Sequence, residues 1–126
     1  MEKKFYRCKT CSNILGVIND SGVIPMCCGQ RMEVLVANTT DAATEKHVPV
    51  ITRDGDKVIV KIGSVAHPMT EEHLIQWVIL TQGTATKRIT LTSGATPEVV
   101  FTVTDANVPV CAYAYCNLHG LWSAKG

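Results

Sequence analysis

The sequence predicts an all-β protein in two parts, a small unit built around four cysteines followed by an antiparallel β-sandwich. Three observations carry this. Runs of β-branched and aromatic residues recur from residue 57 onward, broken by turn-forming pairs. No stretch reads as a convincing amphipathic helix, and there is no internal repeat. Four of the six cysteines, Cys8, Cys11, Cys27 and Cys28, crowd the N-terminal end.

Residues 1–36 form the first unit. Cys8-x-x-Cys11 has the spacing of a metal knuckle, Cys27 and Cys28 are neighbours, and Gly16, Gly22, Pro25 and Gly29 supply turns. A unit below ~40 residues rarely folds on core alone. Four thiolates around one ion would add the missing free energy. Disulfides are the competing use of these cysteines. Met1-Glu2-Lys3-Lys4 leads into no apolar segment of a secretory signal, so a cytoplasmic location is expected and metal is favoured. Gly29 lets the chain turn behind the second pair, and Met32, Val34 and Val36 alternate as in a short strand. The small polar stretch 38–44 reads as a linker that could wind one helical turn.

The second unit, 37–126, carries the strand candidates. These are Lys57–Ile62, Leu74–Leu80, Arg88–Thr92, Val99–Val103 and Val108–Tyr115, separated by Asp54-Gly55, Gln82-Gly83, Ser93-Gly94 and Asp105-Ala106-Asn107. Pro109 fits a strand entry or an edge. Several short strands at this spacing suggest a sandwich. With 46% hydrophobic residues a packed core is possible. A net charge of +1 without long charged runs argues against a nucleic-acid coat or a polybasic membrane anchor. No apolar run approaches the ~20 residues that span a bilayer.

Two groups of residues carry chemistry. Four cysteine thiolates favour tetrahedral zinc or iron. A purely structural zinc ribbon is the plain reading, but a ribbon has two Cys-x-x-Cys knuckles, and here the second pair is adjacent. The other group is Cys116-Asn117-Leu118-His119 together with His47, His67 and His73; with His119 these are all the histidines of the chain. Each of them taken singly reads as a surface or satisfied core residue. Jointly they fall at strand ends or in loops, where a rigid scaffold can gather them. One Cys and four His exceed a four-coordinate zinc site and leave one position open on six-coordinate iron. A ferrous ion with one thiolate keeps a positive charge that attracts a small anion. Lys46 could steer that anion inward, and Glu45 could cap the open position; as a bland alternative the two are a solvated surface pair. Cys111, five residues before Cys116 and facing the other way in a continuous strand, reads as a small core residue.

Cys8-x-x-Cys11, Cys27-Cys28, Glu45-Lys46-His47-Val48-Pro49, Ser64-Val65-Ala66-His67-Pro68-Met69, His73 and Cys116-Asn117-Leu118-His119-Gly120-Leu121-Trp122 together resemble the desulfoferrodoxins, the two-iron class of superoxide reductase. The resemblance covers essentially the whole chain. It implies a desulforedoxin-like, rubredoxin-type iron domain over 1–36, with Cys8, Cys11, Cys27 and Cys28 on the first iron. It implies an immunoglobulin-like sandwich over 37–126, with His47, His67, His73 and His119 as equatorial ligands and Cys116 as the axial ligand of a second, catalytic iron. The implied reaction is one-electron reduction of superoxide to hydrogen peroxide without release of dioxygen. Lys46 would guide superoxide and help protonation, and Glu45 would ligate the resting ferric site. A rubredoxin-like donor would return the electron, and the protein would be a homodimer, with no nucleic-acid or membrane partner. The alternative is a non-catalytic iron electron carrier or a zinc-stapled binding module.

Overall fold

The computed structural model describes residues 3–126. They fall into two compact units, one ending at Val36 and the other spanning Ala37–Gly126.

The first unit contains β1 (Phe5–Arg7), β2 (Ile14–Gly16), β3 (Met26–Cys27), β4 (Gln30–Arg31) and β5 (Glu33–Val34). β1 lies between β2 and β5, and β3 pairs with β4. These strands are too short to show a period. Buried Tyr6, Cys8 and Met32 pack with Val17, Ile24 and Cys27, which is a very small core. The expected alternation of Met32, Val34 and Val36 holds only for Met32; Val34 and Val36 are exposed, and β5 ends at Val34.

The second unit begins with a single turn, α1 (Thr44–His47), and continues as β6 (Pro49–Asp54), β7 (Lys57–Ile62), β8 (Ile75–Gln82), β9 (Ala85–Thr90), β10 (Glu98–Thr102), β11 (Cys111–Cys116) and β12 (Gly120–Lys125). The strands form two antiparallel sheets, β10-β7-β6 and β12-β11-β8-β9. This division into three and four strands is that of an immunoglobulin-like sandwich. The inner faces meet in one core: Val58, Val60, Ile62, Val99 and Phe101 from the smaller sheet, and Ile75, Val78, Leu80, Ala112, Ala114 and Cys116 from the larger. Along β7, Val58, Val60 and Ile62 are buried while Lys57 and Lys61 are exposed, the period-two pattern of a strand with one wet face.

Several sequence expectations shift. β6 and β12 were not anticipated as strands. The last long strand starts at Cys111 instead of Val108, since Pro109 has no N–H to donate. Cys111 faces away from Cys116 as expected, but it is half-buried and outside the inner core. The stretch from Asn38 is more than a linker. The Asn38 amide pairs with the Leu121 carbonyl, and its side chain accepts from the Ser123 N–H (2.9 Å) and donates to the Ser123 carbonyl (3.2 Å), extending the β12 edge.

Candidate metal centre

Antiparallel pairing brings one end of the sandwich together. Pro49 pairs with Ile62, Cys116 with Ile75, and Cys116 with Gly120; each pair is the last of its ladder. The residues just beyond these pairs carry the histidines. His47 precedes β6, His67 follows β7, His73 precedes β8, and His119 precedes β12. The β11–β12 hairpin turns within three residues, and Gly120 at its end has φ +80°, a conformation that favours glycine.

The four imidazoles stand at the corners of a square. Neighbouring ring centroids are 4.6 Å (His47–His67), 4.7 Å (His67–His73), 5.0 Å (His73–His119) and 4.9 Å (His119–His47) apart. His47 and His73 lie across the diagonal at 6.3 Å. His47 Nε2 is 3.1 Å from both His67 Nε2 and His119 Nδ1. Two nitrogens at right angles on an ion at about 2.1 Å would be about 3.0 Å apart. The Cys116 sulfur, fully buried, is 3.9 Å from His119 Nδ1. The ligand atoms of His47, His67, His73 and Cys116 all lie within 4.8 Å of one another.

The hydrogen bonds leave ring lone pairs aimed at a point where a cation fits. His47 Nδ1 lies 2.7 Å from the Ala43 carbonyl and His67 Nδ1 lies 2.6 Å from the Pro68 carbonyl. A carbonyl only accepts, so the network assigns the ring proton to Nδ1 in both. The two Nε2 lone pairs then face each other across 3.1 Å, which is repulsive unless an ion lies between them. His73 Nε2 is buried with no hydrogen-bond partner. Such an orphaned acceptor costs free energy that a metal would recover. Burial lowers the pKa of His47 and His73 and pushes His67 down to about 4, so these imidazoles are neutral near pH 7. Burial also raises the Cys116 thiol, against amide N–H groups of Leu118 and His119 that favour the thiolate; binding a metal there releases the proton.

The first unit holds the other cluster. The β3–β4 hairpin turns through Cys28 and Gly29, both at positive φ (51° and 75°), as a two-residue I′ turn demands. This is how adjacent cysteines serve one ion: Cys27 ends the strand and Cys28 sits in the turn. Cys11 and Cys27 sulfurs are 3.7 Å apart, and those of Cys27 and Cys28 are 4.0 Å apart. A tetrahedron of sulfurs about 2.3 Å from its ion has edges of about 3.8 Å. Backbone N–H groups of Cys11 and Thr10 help hold the Cys8 thiol down at about 6, whereas the Cys11 and Cys8 side chains push Cys27 up to about 12. All six cysteines are free of disulfides.

Comparison with known proteins follows the same lines. The family model Desulfoferrodoxin matches residues 39–125. The chain belongs to the desulfoferrodoxin family. A desulfoferrodoxin from Syntrophotalea carbinolica is 47% identical over 121 residues, covering 96% of this chain and 94% of that protein. The crystal structure of the superoxide reductase from Treponema pallidum superposes with a TM-score of 0.80 at 39% identity, covering 98% of this chain and 99% of the other. A superoxide reductase (1Fe-SOR) from Giardia intestinalis matches with a TM-score of 0.58 at 33% identity, covering 65% of this chain and 97% of its own.

In this desulfoferrodoxin the nine residues named from sequence as ligands gather into two clusters. Lys46 and Glu45 lie exposed on α1, beside buried His47. The Lys46 charge reaches both His47 and His73 and lowers their pKa values. The Glu45 carboxylate is not among the grouped donors; its backbone carbonyl instead accepts from the Val65 N–H (2.9 Å) and the Ser64 hydroxyl (3.2 Å). Sequence reasoning overlooked three supports. Trp122 stacks on His47 at 4.9 Å and donates to the His119 carbonyl (3.1 Å). Gly63 lies so close to the Glu45–His47 backbone that a Cβ would stand 2.7 Å from the Glu45 carbonyl oxygen. Asn117 bonds to the loop that carries His73. For Trp122 and Asn117 the signal was their place inside the Cys116–Trp122 motif.

Proposed function

We propose that this desulfoferrodoxin is a superoxide reductase, with the five-residue cluster as its catalytic iron site and the four-cysteine cluster as a second mononuclear iron site. One observation carries the reading: four imidazoles ring a point that one buried thiol also faces. That donor set exceeds structural zinc and suits a six-coordinate iron with a position left for substrate. Iron, when bound, supplies the single electron, and with one thiolate and four neutral imidazoles it retains one positive charge for an anion to approach.

The protein residues do the rest. Bonds from His47 and His67 to the Ala43 and Pro68 carbonyls fix which nitrogens face the ion. Cys116, shielded by the core, contributes the thiolate, which raises electron density at the ion as thiolates do for haem. The Lys46 ammonium, exposed beside the ring, steers superoxide inward and offers a proton at Nζ. Superoxide takes up one electron and two protons and leaves as hydrogen peroxide. We assign Glu45 as the carboxylate able to cap the oxidised site. A rubredoxin-like donor, a homodimeric state and a cytoplasmic location complete the proposal. Among the described residues no helix is long and apolar enough to cross a membrane.

The test is product stoichiometry. Superoxide mixed anaerobically with the reduced, iron-loaded protein should yield one peroxide per superoxide and no dioxygen. Dioxygen released at half the superoxide consumed would refute a reductase.

A further inference from the structure

We infer that Asn117 is a positioning residue for His73, its side-chain amide locking the loop that carries His73 to the hairpin that carries Cys116 and His119. The inference rests on the reading of these residues as one iron site. The β8–β11 ladder runs in register from Cys111–Thr81 to Tyr115–Trp77, then slips, so that Cys116 faces Ile75. Beyond the slip, Asn117 takes over. Its backbone N–H donates to the Leu74 carbonyl (3.2 Å), its Oδ1 accepts from the Leu74 N–H (3.0 Å), and its Nδ2 donates to the Glu72 carbonyl (2.9 Å). One side chain thus grips the residues on both sides of His73.

His73 needs this grip more than its neighbours do. His47 and His67 are each held by a ring-nitrogen bond to a carbonyl. The His73 ring has no such bond among the described residues, and its buried Nε2 is unpartnered. Its place in the square therefore depends on its backbone. Thr70 fixes that backbone locally: its hydroxyl accepts from the His73 N–H (3.0 Å) and its N–H donates to the His73 carbonyl (3.0 Å). Asn117 fixes it relative to the other ligands, because Asn117 follows Cys116 directly and lies two residues before His119.

The test uses iron-loaded protein and follows iron release to a chelator alongside the ferric–thiolate absorption band. Asn117→Ala should speed release about 10-fold or more, the scale seen when an outer-shell partner is lost, and should shift the band. Asn117→Asp keeps the acceptor for the Leu74 N–H but opposes the Glu72 carbonyl, so its effect should fall between wild type and Asn117→Ala; it also serves if Asn117→Ala does not fold. Because Asn117 acts through His73, adding Asn117→Ala to His73→Ala should change release no further. An equal added effect in both backgrounds, or an unshifted band with unchanged release, overturns the inference. If His73→Ala alone leaves release unchanged, the single-site reading falls as well; if His73→Ala speeds release and Asn117→Ala does not, only the positioning role is lost.

Discussion

Lys46 and His67 show how single side chains set the chemistry of this end of the sandwich. Lys46 is exposed, so its charge acts through space on an incoming anion and contributes little to packing. Lys46→Ala should slow the bimolecular reaction with superoxide by about 10-fold at low salt, within the range of electrostatic steering, and flatten its salt dependence while the melting temperature stays put. Stopped-flow rates at two ionic strengths measure this; an unchanged low-salt rate would remove Lys46 from the mechanism. His67 makes the opposite case. It is buried, and its folded pKa of about 4 lies below the ordinary 6.5. Between those values the unfolded chain binds a proton that the folded chain refuses, so stability rises with pH across that window. The contribution is complete above about 6.5 and lost as pH falls through about 4. Urea midpoints of the metal-free protein at pH 7, 6 and 5 should fall in that order, above the range where most carboxylates titrate. A flat series would mean that His67 is solvated.

At the level of elements, the site is a set of strand ends, and much of it was legible. Strands β7, β8, β10 and β11 announce themselves by alternating or continuous apolar residues, such as Val58, Val60 and Ile62 against Lys57 and Lys61. Histidines just outside such runs could be expected to converge. β6 and β12 were not legible: β6 opens on a proline and β12 on a glycine, and β12 carries only Leu121 and Trp122 as large apolar residues. The crossing of chain segments was equally hidden, and Gly63 is its clearest mark. An alanine there would put Cβ 2.7 Å from the Glu45 carbonyl oxygen and 2.9 Å from the Lys46 carbonyl carbon, so the segment that presents Lys46 and His47 must move. Gly63→Ala should cost about 1–3 kcal/mol, the range for overpacking, and loosen the hold on iron. Thermal unfolding and iron content report both; a variant as stable and as iron-rich as the parent would show that the segment yields freely.

For the molecule as a whole, the two units draw their stability from different sources. The second has an extended apolar core between its sheets, whereas the first buries little beyond Phe5, Tyr6, Cys8 and Met32. Four cysteines whose sulfurs lie within 4.8 Å of one another would therefore carry much of the folding free energy of the first unit once they bind an ion. Cys8→Ser should expose residues 1–36 to proteolysis and abolish their iron, while the second unit keeps its iron and most of its reaction with superoxide. Loss of peroxide formation with iron still present in the second site would show instead that the first site takes part in turnover.

The claim beneath all of this is that His47, His67, His73, His119 and Cys116 hold one iron ion. Anomalous scattering measured at the iron edge on crystals of the loaded protein tests it most directly. The account predicts two iron peaks per chain, one among Cys8, Cys11, Cys27 and Cys28 and one inside the square of imidazoles beside the Cys116 sulfur. No iron peak within that square, or a zinc signal in its place with superoxide reduction undiminished, would contradict it.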